Sequence, residues 1–283
     1  MKKKLLAILM IAAMVLTATA CGSSSSDSGD SNDKTTVNVF AAASLSPIME
    51  EFEKNYEKDN PDVDLVINAD SSGALMEQIE EGASCDIFFS AAQKQMDELE
   101  GKKLVVDNTR TNVVNNQLVV ITQPDSDTAV TGLKNIDKAG SIALADGSVP
   151  VGKYTRQALI NLGMLKKVED PSTITTESVS KQLGGVEISE EGNVSKVLSA
   201  VEEESCEVGT TYLSDTVGHE KKVKILEKVS NKVSGDIIYP VARIENKDAS
   251  EEETKAAEDF VKYITNDDAM KLYKEYGFDT DVD

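Results

Sequence analysis

The chain lacks several residue types that whole classes of function require. Its 283 residues include no Trp, one His and three Cys, and only 5% are aromatic. Lys and Arg number 29 against 50 Asp and Glu, which gives a formal net charge of −21. This shortage of positive charge excludes sequence-independent binding of nucleic acid and electrostatic adsorption to anionic lipid. One His and three Cys also leave little material for a thiol or imidazole metal site.

Motifs of common enzyme classes are missing as well. The sequence contains no G-x-x-x-x-G-K-[ST] phosphate loop and no G-x-S-x-G nucleophile elbow. A Ser-His-Asp hydrolase would have to use His219, which lies in a polar, turn-like stretch and is predicted to be a surface residue. The acidic runs are typical of solvated helix ends. We therefore predict that the protein is not an enzyme, with no catalytic residue and no metal bound directly by side chains.

The N-terminus has the pattern of an export signal. Three lysines at positions 2–4 precede an apolar run at residues 5–16, which is shorter than the roughly 20 residues that a membrane-spanning helix needs. Small residues then lead to Cys21. This order is typical of a secretory signal and resembles a bacterial lipoprotein signal, in which the cysteine becomes the lipidated first residue. We expect a signal peptide over residues 1–20 and lipidation at Cys21.

A flexible tether is predicted between this signal and the folded body. Residues 22–33 read GSSSSDSGDSND and contain no apolar side chain, which is typical of a flexible linker. We assign residues 21–34 to the tether, so that acyl chains on Cys21 would anchor a soluble body to the cell membrane. Cys85 and Cys206 remain in the body, far apart in sequence, and are predicted to be isolated, buried thiols.

The body alternates predicted strands and helices in two blocks. The first block has strands at residues 37–40, 63–67 and 87–89, separated by amphipathic helical patterns. The second block has helices at residues 153–162 and 193–203, with strands at residues 118–121, 142–144, 208–211, 223–226 and 237–244. Such alternation implies parallel pairing through helical crossovers. The sequence therefore predicts an α/β fold of two lobes with a ligand cleft between them.

Two helix starts carry recognisable capping signals. Ser46 followed by Pro47 predicts a helix with serine as its N-cap and proline in its first turn. Ser250 with Glu253 three residues later predicts a capping box at the start of a C-terminal helix.

Four strand-to-helix junctions consist of small, mostly neutral residues, at positions 43–44, 71–73, 150–152 and 192–194. The first N–H groups of a helix have no partner within the helix, and they carry a partial positive charge. Several such ends converging on one cleft would bind an anion without Lys or Arg. Taken singly, each junction is better explained by ordinary helix capping.

Several segments, in this order, resemble the molybdate-binding proteins of ABC importers. They are VFAAASL at residues 39–45, SSGAL at 71–75, QIEEGASCDIFFSA at 78–91, VPVGKY at 149–154, VGTTYLSD at 208–215, YPV at 239–241 and YGF at 276–278. The resemblance covers residues 37–278. It implies a two-lobed periplasmic-binding-protein fold of type II, with a mainly parallel sheet flanked by helices in each lobe. Lobe 1 would comprise residues 35–117 and 236–283, and lobe 2 residues 118–235.

Carried over position by position, the resemblance also implies the residues that bind the oxyanion. Ser44 and Ser72 would use their hydroxyl and backbone N–H groups, and Tyr212 its phenol. Val151 and Val194 would contribute backbone N–H groups from the second lobe.

The function implied by the resemblance is that of a receptor outside the cytoplasm. It would be a lipid-anchored monomer that binds molybdate or tungstate without a cofactor and delivers it to a membrane permease and its ATPase. Three alternatives stay open: the same scaffold with another oxyanion such as sulfate, a secreted serine hydrolase, and a scaffold or adhesion lipoprotein without a small ligand.

Overall fold

Strands and helices alternate along most of the chain. The computed structural model describes residues 34–282. In this part, the strands are β1 (Thr35–Ala42), β2 (Val63–Asp70), β3 (Ile87–Phe89), β4 (Thr111–Asn116), β5 (Leu118–Thr122), β6 (Ser141–Ala145), β7 (Glu187–Glu191), β8 (Val208–Tyr212), β9 (Lys224–Lys228) and β10 (Ile237–Arg243). The α-helices are α1 (Ser46–Asp59), α2 (Ser72–Glu80), α3 (Gln93–Gly101), α4 (Pro150–Asn161), α5 (Thr176–Gln182), α6 (Val194–Glu202), α7 (Asn231–Ser234), α8 (Glu251–Ile264) and α9 (Asp267–Glu275).

The strands form two five-stranded sheets, which define two lobes. The sheet of lobe 1 has the order β2-β1-β3-β10-β4, and the sheet of lobe 2 has the order β7-β6-β8-β5-β9. In each sheet two pairings are parallel and two are antiparallel, because β10 and β5 run against their neighbours. Helices flank both sheets. The predicted α/β fold of two lobes is confirmed.

The chain passes between the lobes twice. It leaves lobe 1 where β4 ends at Asn116 and enters lobe 2 where β5 begins at Leu118. It returns between the end of β9 at Lys228 and the start of β10 at Ile237. Lobe 1 is therefore built from both ends of the described chain, and the C-terminal helix α8 packs against β1 and β10.

An aromatic cluster joins the C-terminal helices to α1 in lobe 1. Phe52 and Tyr56 on α1 contact Phe260, Tyr263 and Tyr273 on α8 and α9, mostly edge to face at centroid distances of 5.0–5.8 Å. Such edge contacts between aromatic rings are favourable beyond the area that they bury. Helices α8 and α9 are thus packed onto lobe 1.

Of the two predicted helix starts, one is confirmed and the other is wrong. The capping box of Ser250 and Glu253 is present at α8. Ser46 as the N-cap of α1 is wrong. A 3-10 turn, Ala43–Leu45, leads directly into α1, so that Leu45 takes the N-cap position and the Ser46 hydroxyl donates to the Ala43 carbonyl at 2.8 Å.

The two cysteines of the body are free and buried, as predicted. The signal peptide predicted over residues 1–20, the lipidation site Cys21 and nearly all of the predicted tether lie outside the described residues. Within residues 34–282, no helix combines the length and the apolar character that crossing a membrane requires.

Candidate functional site

A small cavity lies between the two lobes. Its free volume, about 10 Å³, is about the space that one water molecule needs. It is lined by Ala42, Ala43, Ser44, Ser71, Ser72, Ala91, Val149, Pro150, Val151, Val194 and Tyr212. All five site residues expected from the resemblance are in this set. In the described part of the chain, none of the lining side chains carries a charge.

Four helical N-termini meet at this cavity, two from each lobe. Lobe 1 contributes the 3-10 turn Ala43–Leu45, which follows β1, and α2, which follows β2. Lobe 2 contributes α4, which follows β6, and α6, which follows β7. The N-terminal N–H groups of a helix lack intrahelical acceptors and attract negative charge. The helical turns that follow strands of both sheets therefore place hydrogen-bond donors around the same cavity.

The caps of these helices leave the first N–H groups available. In α2 the Ser71 hydroxyl accepts from the Ala74 N–H at 3.2 Å, and in α6 the Asn193 side chain accepts from the Lys196 N–H at 3.0 Å. Both caps serve the third helical position, so the first two N–H groups have no capping acceptor. Val149 precedes α4 and offers no side-chain cap at all. The backbone N–H groups of Ser72, Val151 and Val194 belong to this available set.

The Ser44 hydroxyl belongs to a buried hydrogen-bond network. The Asn116 amide donates from Nδ2 to Tyr239 Oη at 3.1 Å and to Ser214 Oγ at 2.8 Å. Tyr239 Oη lies 2.7 Å from Ser44 Oγ. Because Tyr239 accepts from Asn116, it can give its own hydrogen to Ser44. The hydrogen of the Ser44 hydroxyl is then free for a ligand in the cavity.

The Ser72 and Tyr212 hydroxyls are also available as donors. Ser72 Oγ accepts from the Ala91 N–H at 2.9 Å, which leaves the serine hydrogen free. Tyr212 is 1% exposed, and its Oη has no hydrogen-bond partner in the structure. Burial raises the pKa of the Tyr212 phenol well above its usual value, so that it stays a neutral donor. A buried hydroxyl without a partner is costly, and a ligand that accepts from it would remove this cost.

The backbone of Tyr212 is held by a buried carboxylate. Asp215 Oδ2 accepts from the Tyr212 N–H at 2.9 Å and from Thr211 Oγ1 at 2.7 Å. Burial raises the pKa of Asp215 to about 6, although these two hydrogen bonds lower it. Asp215 thus fixes the end of β8, from which the Tyr212 side chain extends.

A buried arginine holds the start of α4 against β6. Arg156 is 0% exposed and donates to the carbonyl groups of Ala145, Gly152 and Ile174 at 2.7–3.0 Å. The first turn of α4 lies so close to the end of β6 that only glycine fits at position 152, because a Cβ there would lie 2.0 Å from the Asp146 carbonyl oxygen. The N-terminus of α4, with the Val151 N–H, is therefore fixed in place by side chains outside the cavity.

The remaining candidates for chemistry lie elsewhere. His219 is hydrogen-bonded through Nδ1 to Glu202 at the end of α6 and does not line the cavity. Among residues 34–282, no group of three or more His, Cys, Asp or Glu side chains is arranged to hold a metal ion. The cavity itself offers donors only, without a nucleophile–base pair.

Comparison with known proteins gives the family. A family model described as bacterial extracellular solute-binding protein matches residues 37–279. The chain belongs to this family. Members of the bacterial extracellular solute-binding protein family bind solutes outside the cytoplasm and are not enzymes, so the alternative of a secreted serine hydrolase is wrong, as is that of a scaffold without a ligand.

Individual relatives are similar over almost their whole length. The chain is 33% identical over 272 residues to the "Putative ABC transporter substrate-binding lipoprotein YvgL" of Bacillus subtilis, which covers 95% of this chain and 96% of that protein. It is 32% identical over 250 residues to the molybdate-binding protein ModA of Haemophilus influenzae, covering 86% and 89% of the two chains.

A solved structure shows the same similarity. The "substrate binding domain of putative molybdenum ABC transporter from Clostridium difficile" is 35% identical, with a TM-score of 0.62 over 88% of this chain and 99% of that one. The solute-binding fold therefore extends over the described body.

Sequence reasoning missed the residues that support this site from outside the cavity. Arg156 lies on a helix whose other positions are ordinary amphipathic ones, and the sequence gives no signal that it is buried. Asp215 was quoted only as part of a motif, yet it fixes Tyr212. Asn116 ends a strand that was not predicted, although three polar residues in the run NVVNN gave a weak indication of a special position.

The burial of Asp215 leads to a testable pH dependence. The pKa of Asp215 is about 6 in the folded protein, above the usual 3.8. Between pH 3.8 and about 6, the folded state therefore binds more protons than the unfolded state. This group's contribution to the free energy of unfolding should therefore decrease as the pH rises from about 4 to about 6. Urea unfolding of the protein and of Asp215→Asn across this range should show the difference.

The exposed Asp125→Asn variant controls for the loss of one negative charge. If the pH profiles of the protein and of Asp215→Asn run parallel from pH 4 to 6, Asp215 does not titrate in this window and the assigned pKa is wrong.

Proposed function

We propose that the chain is a receptor that binds molybdate, or tungstate, outside the cytoplasm and delivers it to an ABC importer. The observation that carries this proposal is the uncharged cavity, in which four helical N-termini and three hydroxyl groups offer donors. The names of two relatives support the cargo: ModA of Haemophilus influenzae is a molybdate-binding protein, and the Clostridium difficile domain belongs to a molybdenum ABC transporter.

The proposed ligands to the anion are five residues. Ser44 and Ser72 donate from their hydroxyl and backbone N–H groups, Tyr212 from its phenol, and Val151 and Val194 from their backbone N–H groups. The hydrogen-bond network supports this assignment, because the surrounding groups leave the hydrogens of the three hydroxyls free. The metal enters as part of its oxyanion, so neither a cofactor nor a side-chain metal ligand is required.

A site made only of donors selects anions by protonation and size. Phosphate is partly monoprotonated at neutral pH, and its proton would meet a donor where an acceptor is needed. One buried group left unpaired in this way costs about 1–3 kcal/mol. Sulfate carries the right charge but is smaller, so its rejection depends on the size of the cavity. Tungstate has the same shape and charge as molybdate, and we expect the site to bind both.

The arrangement of the lobes supports capture by closure. We propose that lobe 1, residues 35–117 and 236–283, and lobe 2, residues 118–235, close on the anion about the two chain crossings. Closure excludes water and creates the surface that the permease recognises. We further propose that the protein is a monomer, anchored through lipid on Cys21 after removal of residues 1–20. The lipoprotein named among its relatives supports the anchor.

Isothermal titration of the protein with molybdate, tungstate, sulfate and phosphate tests the cargo. The expected result is tight binding of molybdate and tungstate with little heat from the other two, because only unprotonated dianions of the right size accept from every donor. If sulfate binds as tightly, the receptor remains and its cargo is sulfate or a broader class of oxyanions. If none of the four anions binds, the proposed function is wrong.

Tyr212→Phe tests the site with little disturbance of the fold, because the phenol has no partner in the protein. Molybdate affinity should decrease roughly 10- to 100-fold, which corresponds to the loss of about 1–3 kcal/mol. The melting temperature of the unliganded protein should not decrease. Both quantities follow from titration and calorimetry of the same preparation.

Tyr273→Phe is a matched control for this variant. Tyr273 is also fully buried with an unpartnered phenol, but it lies in the aromatic cluster of lobe 1, away from the cavity. Its variant should bind molybdate with unchanged affinity. Equal affinities of Tyr212→Phe and the unmodified protein would remove Tyr212 from the proposed site.

Cys21→Ala tests the anchor. Without a thiol at this position no acyl chain can be attached, so the protein should move from the membrane pellet to the soluble fraction of fractionated cells. Ser23→Ala, which leaves the cysteine in place, should stay with the membrane. Membrane retention of Cys21→Ala would contradict the proposed lipidation site.

A further inference from the structure

Besides the Asn116–Ser214 hydrogen bond beside a chain crossing, two sets of side-chain hydrogen bonds join the lobes outside the cavity. Asn193 Nδ2 donates to Asp70 Oδ1 at 3.1 Å, where Asp70 ends β2 in lobe 1 and Asn193 precedes α6 in lobe 2. Lys94 on α3 of lobe 1 donates to Asp170 Oδ2 of lobe 2 at 3.0 Å, and its Nζ lies 3.4 Å from Ser172 Oγ. None of these side chains lines the cavity.

The amide of Asn193 has two functions at once. Its Oδ1 accepts from the Lys196 N–H at 3.0 Å and so caps α6, while its Nδ2 is the donor to Asp70. Asp70 Oδ1 in turn accepts from the Ser71 N–H at 2.7 Å. Asp or Ser at position 193 could also cap the helix. Neither has an amide group, which provides an acceptor for the cap and a separate N–H donor for Asp70.

This contact connects the two lobes at the helix ends that reach the anion site. Asp70 immediately precedes the loop of Ser71 and Ser72, and Asn193 immediately precedes Val194. Formation of the bond therefore fixes the N-terminus of α2 relative to that of α6. The lobes also approach closely here, since a Cβ on Gly73 would lie 3.1 Å from the Ser148 carbonyl oxygen of lobe 2.

The charge of Asp70 gives a second reason to assign a role to this pair. A carboxylate next to an anion-binding loop opposes the anion by Coulomb repulsion. Asp70 nevertheless occupies the position next to Ser71, with one oxygen engaged by Asn193 and by the Ser71 N–H. Its hydrogen-bond donors are thus one group in lobe 2 and one in its own loop.

We propose that Asn193 and Asp70 form a clasp that holds the lobes closed and thereby slows the release of the bound anion. This inference rests on the proposed function, because it concerns release from the same cavity. Both are positioning residues that act on the anion through the helix ends of α2 and α6. Opening of the lobes requires the clasp to break, so its loss should raise the dissociation rate more than it changes the association rate.

The Lys94–Asp170 pair serves as an internal comparison. Its side chains are 36% and 37% exposed, and Lys94 also lies 3.9 Å from Glu98 on its own helix. Exposed pairs of this kind contribute little to stability and are screened by salt. We expect Lys94→Met to have a small effect on release, and one that diminishes at high ionic strength.

The test measures release of isotope-labelled molybdate from the full chain during a chase with excess unlabelled molybdate. Asn193→Asp keeps the cap of α6 but replaces the donor by a second carboxylate beside Asp70. Its dissociation rate should rise about tenfold or more, equivalent to at least about 1.4 kcal/mol, with the association rate changed less than about threefold. The melting temperature without ligand should shift by less than about 2 °C.

Exchange of the two residues should restore the clasp. In Asp70→Asn/Asn193→Asp the amide donates from lobe 1 to a carboxylate in lobe 2, and the net charge equals that of the unmodified protein. Its dissociation rate should return to within about threefold of the original rate, because the donor–acceptor pair is re-formed in reverse.

The outcomes separate the clasp from the proposed function. If Asn193→Asp releases molybdate at the original rate, or if the exchange fails to restore slow release, the clasp is wrong while molybdate binding stands. If Asn193→Asp lowers the melting temperature and changes the association and dissociation rates by the same factor, Asn193 only caps α6. That result would also overturn the clasp. If the unmodified protein retains no molybdate at all, the proposed function fails instead.

Discussion

The constraint on which this structure depends is that buried hydrogen-bond donors need acceptors. Four helical N-termini and the hydroxyls of Ser44, Ser72 and Tyr212 line one cavity between the lobes, and within residues 34–282 the buried Tyr212 hydroxyl has no hydrogen-bond partner. Each donor left unpaired costs about 1–3 kcal/mol. In the proposed binding mode, an anion with several acceptor oxygens removes this cost, so that ligand binding and closure of the lobes would stabilise each other.

The donors keep their geometry because groups outside the cavity hold them. Arg156 binds three backbone carbonyls around the start of α4, and Asp215 holds the backbone of Tyr212. Asn116 and Tyr239 orient the hydroxyl of Ser44. These supporting groups are themselves buried, and each is satisfied by several partners, so that each lobe holds its own donors in place. Charge contributes little to this design, which suits a protein whose surface is strongly acidic.

The sequence allowed the fold and the candidate site residues to be predicted, for reasons that differ between elements. Strand β1 ends in the run VFAA, and β8 reads VGTTY; both lie within segments that carry the family resemblance. Strands β4 and β7 were missed, because TNVVNN and EISEE are too polar to be recognised as strands without their sheet neighbours. The supporting roles of Arg156 and Asp215 were missed for a related reason. A long-range partner decides each of them, and no local pattern in the sequence reports such a partner.

The insertion of β10 between β3 and β4 has a consequence for how the chain folds. Among the strands of residues 34–282, β10 (Ile237–Arg243) is the one that pairs with β4, and it pairs with β3 on its other side. A chain that emerges with its N-terminus first can complete the sheet of lobe 2, which ends at Lys228, before these residues are available. Until then, lobe 1 has an unpaired strand edge at β3 and a free β4. Lobe 2 is therefore the lobe whose strands are all available first during synthesis, whereas the sheet of lobe 1 waits for β10.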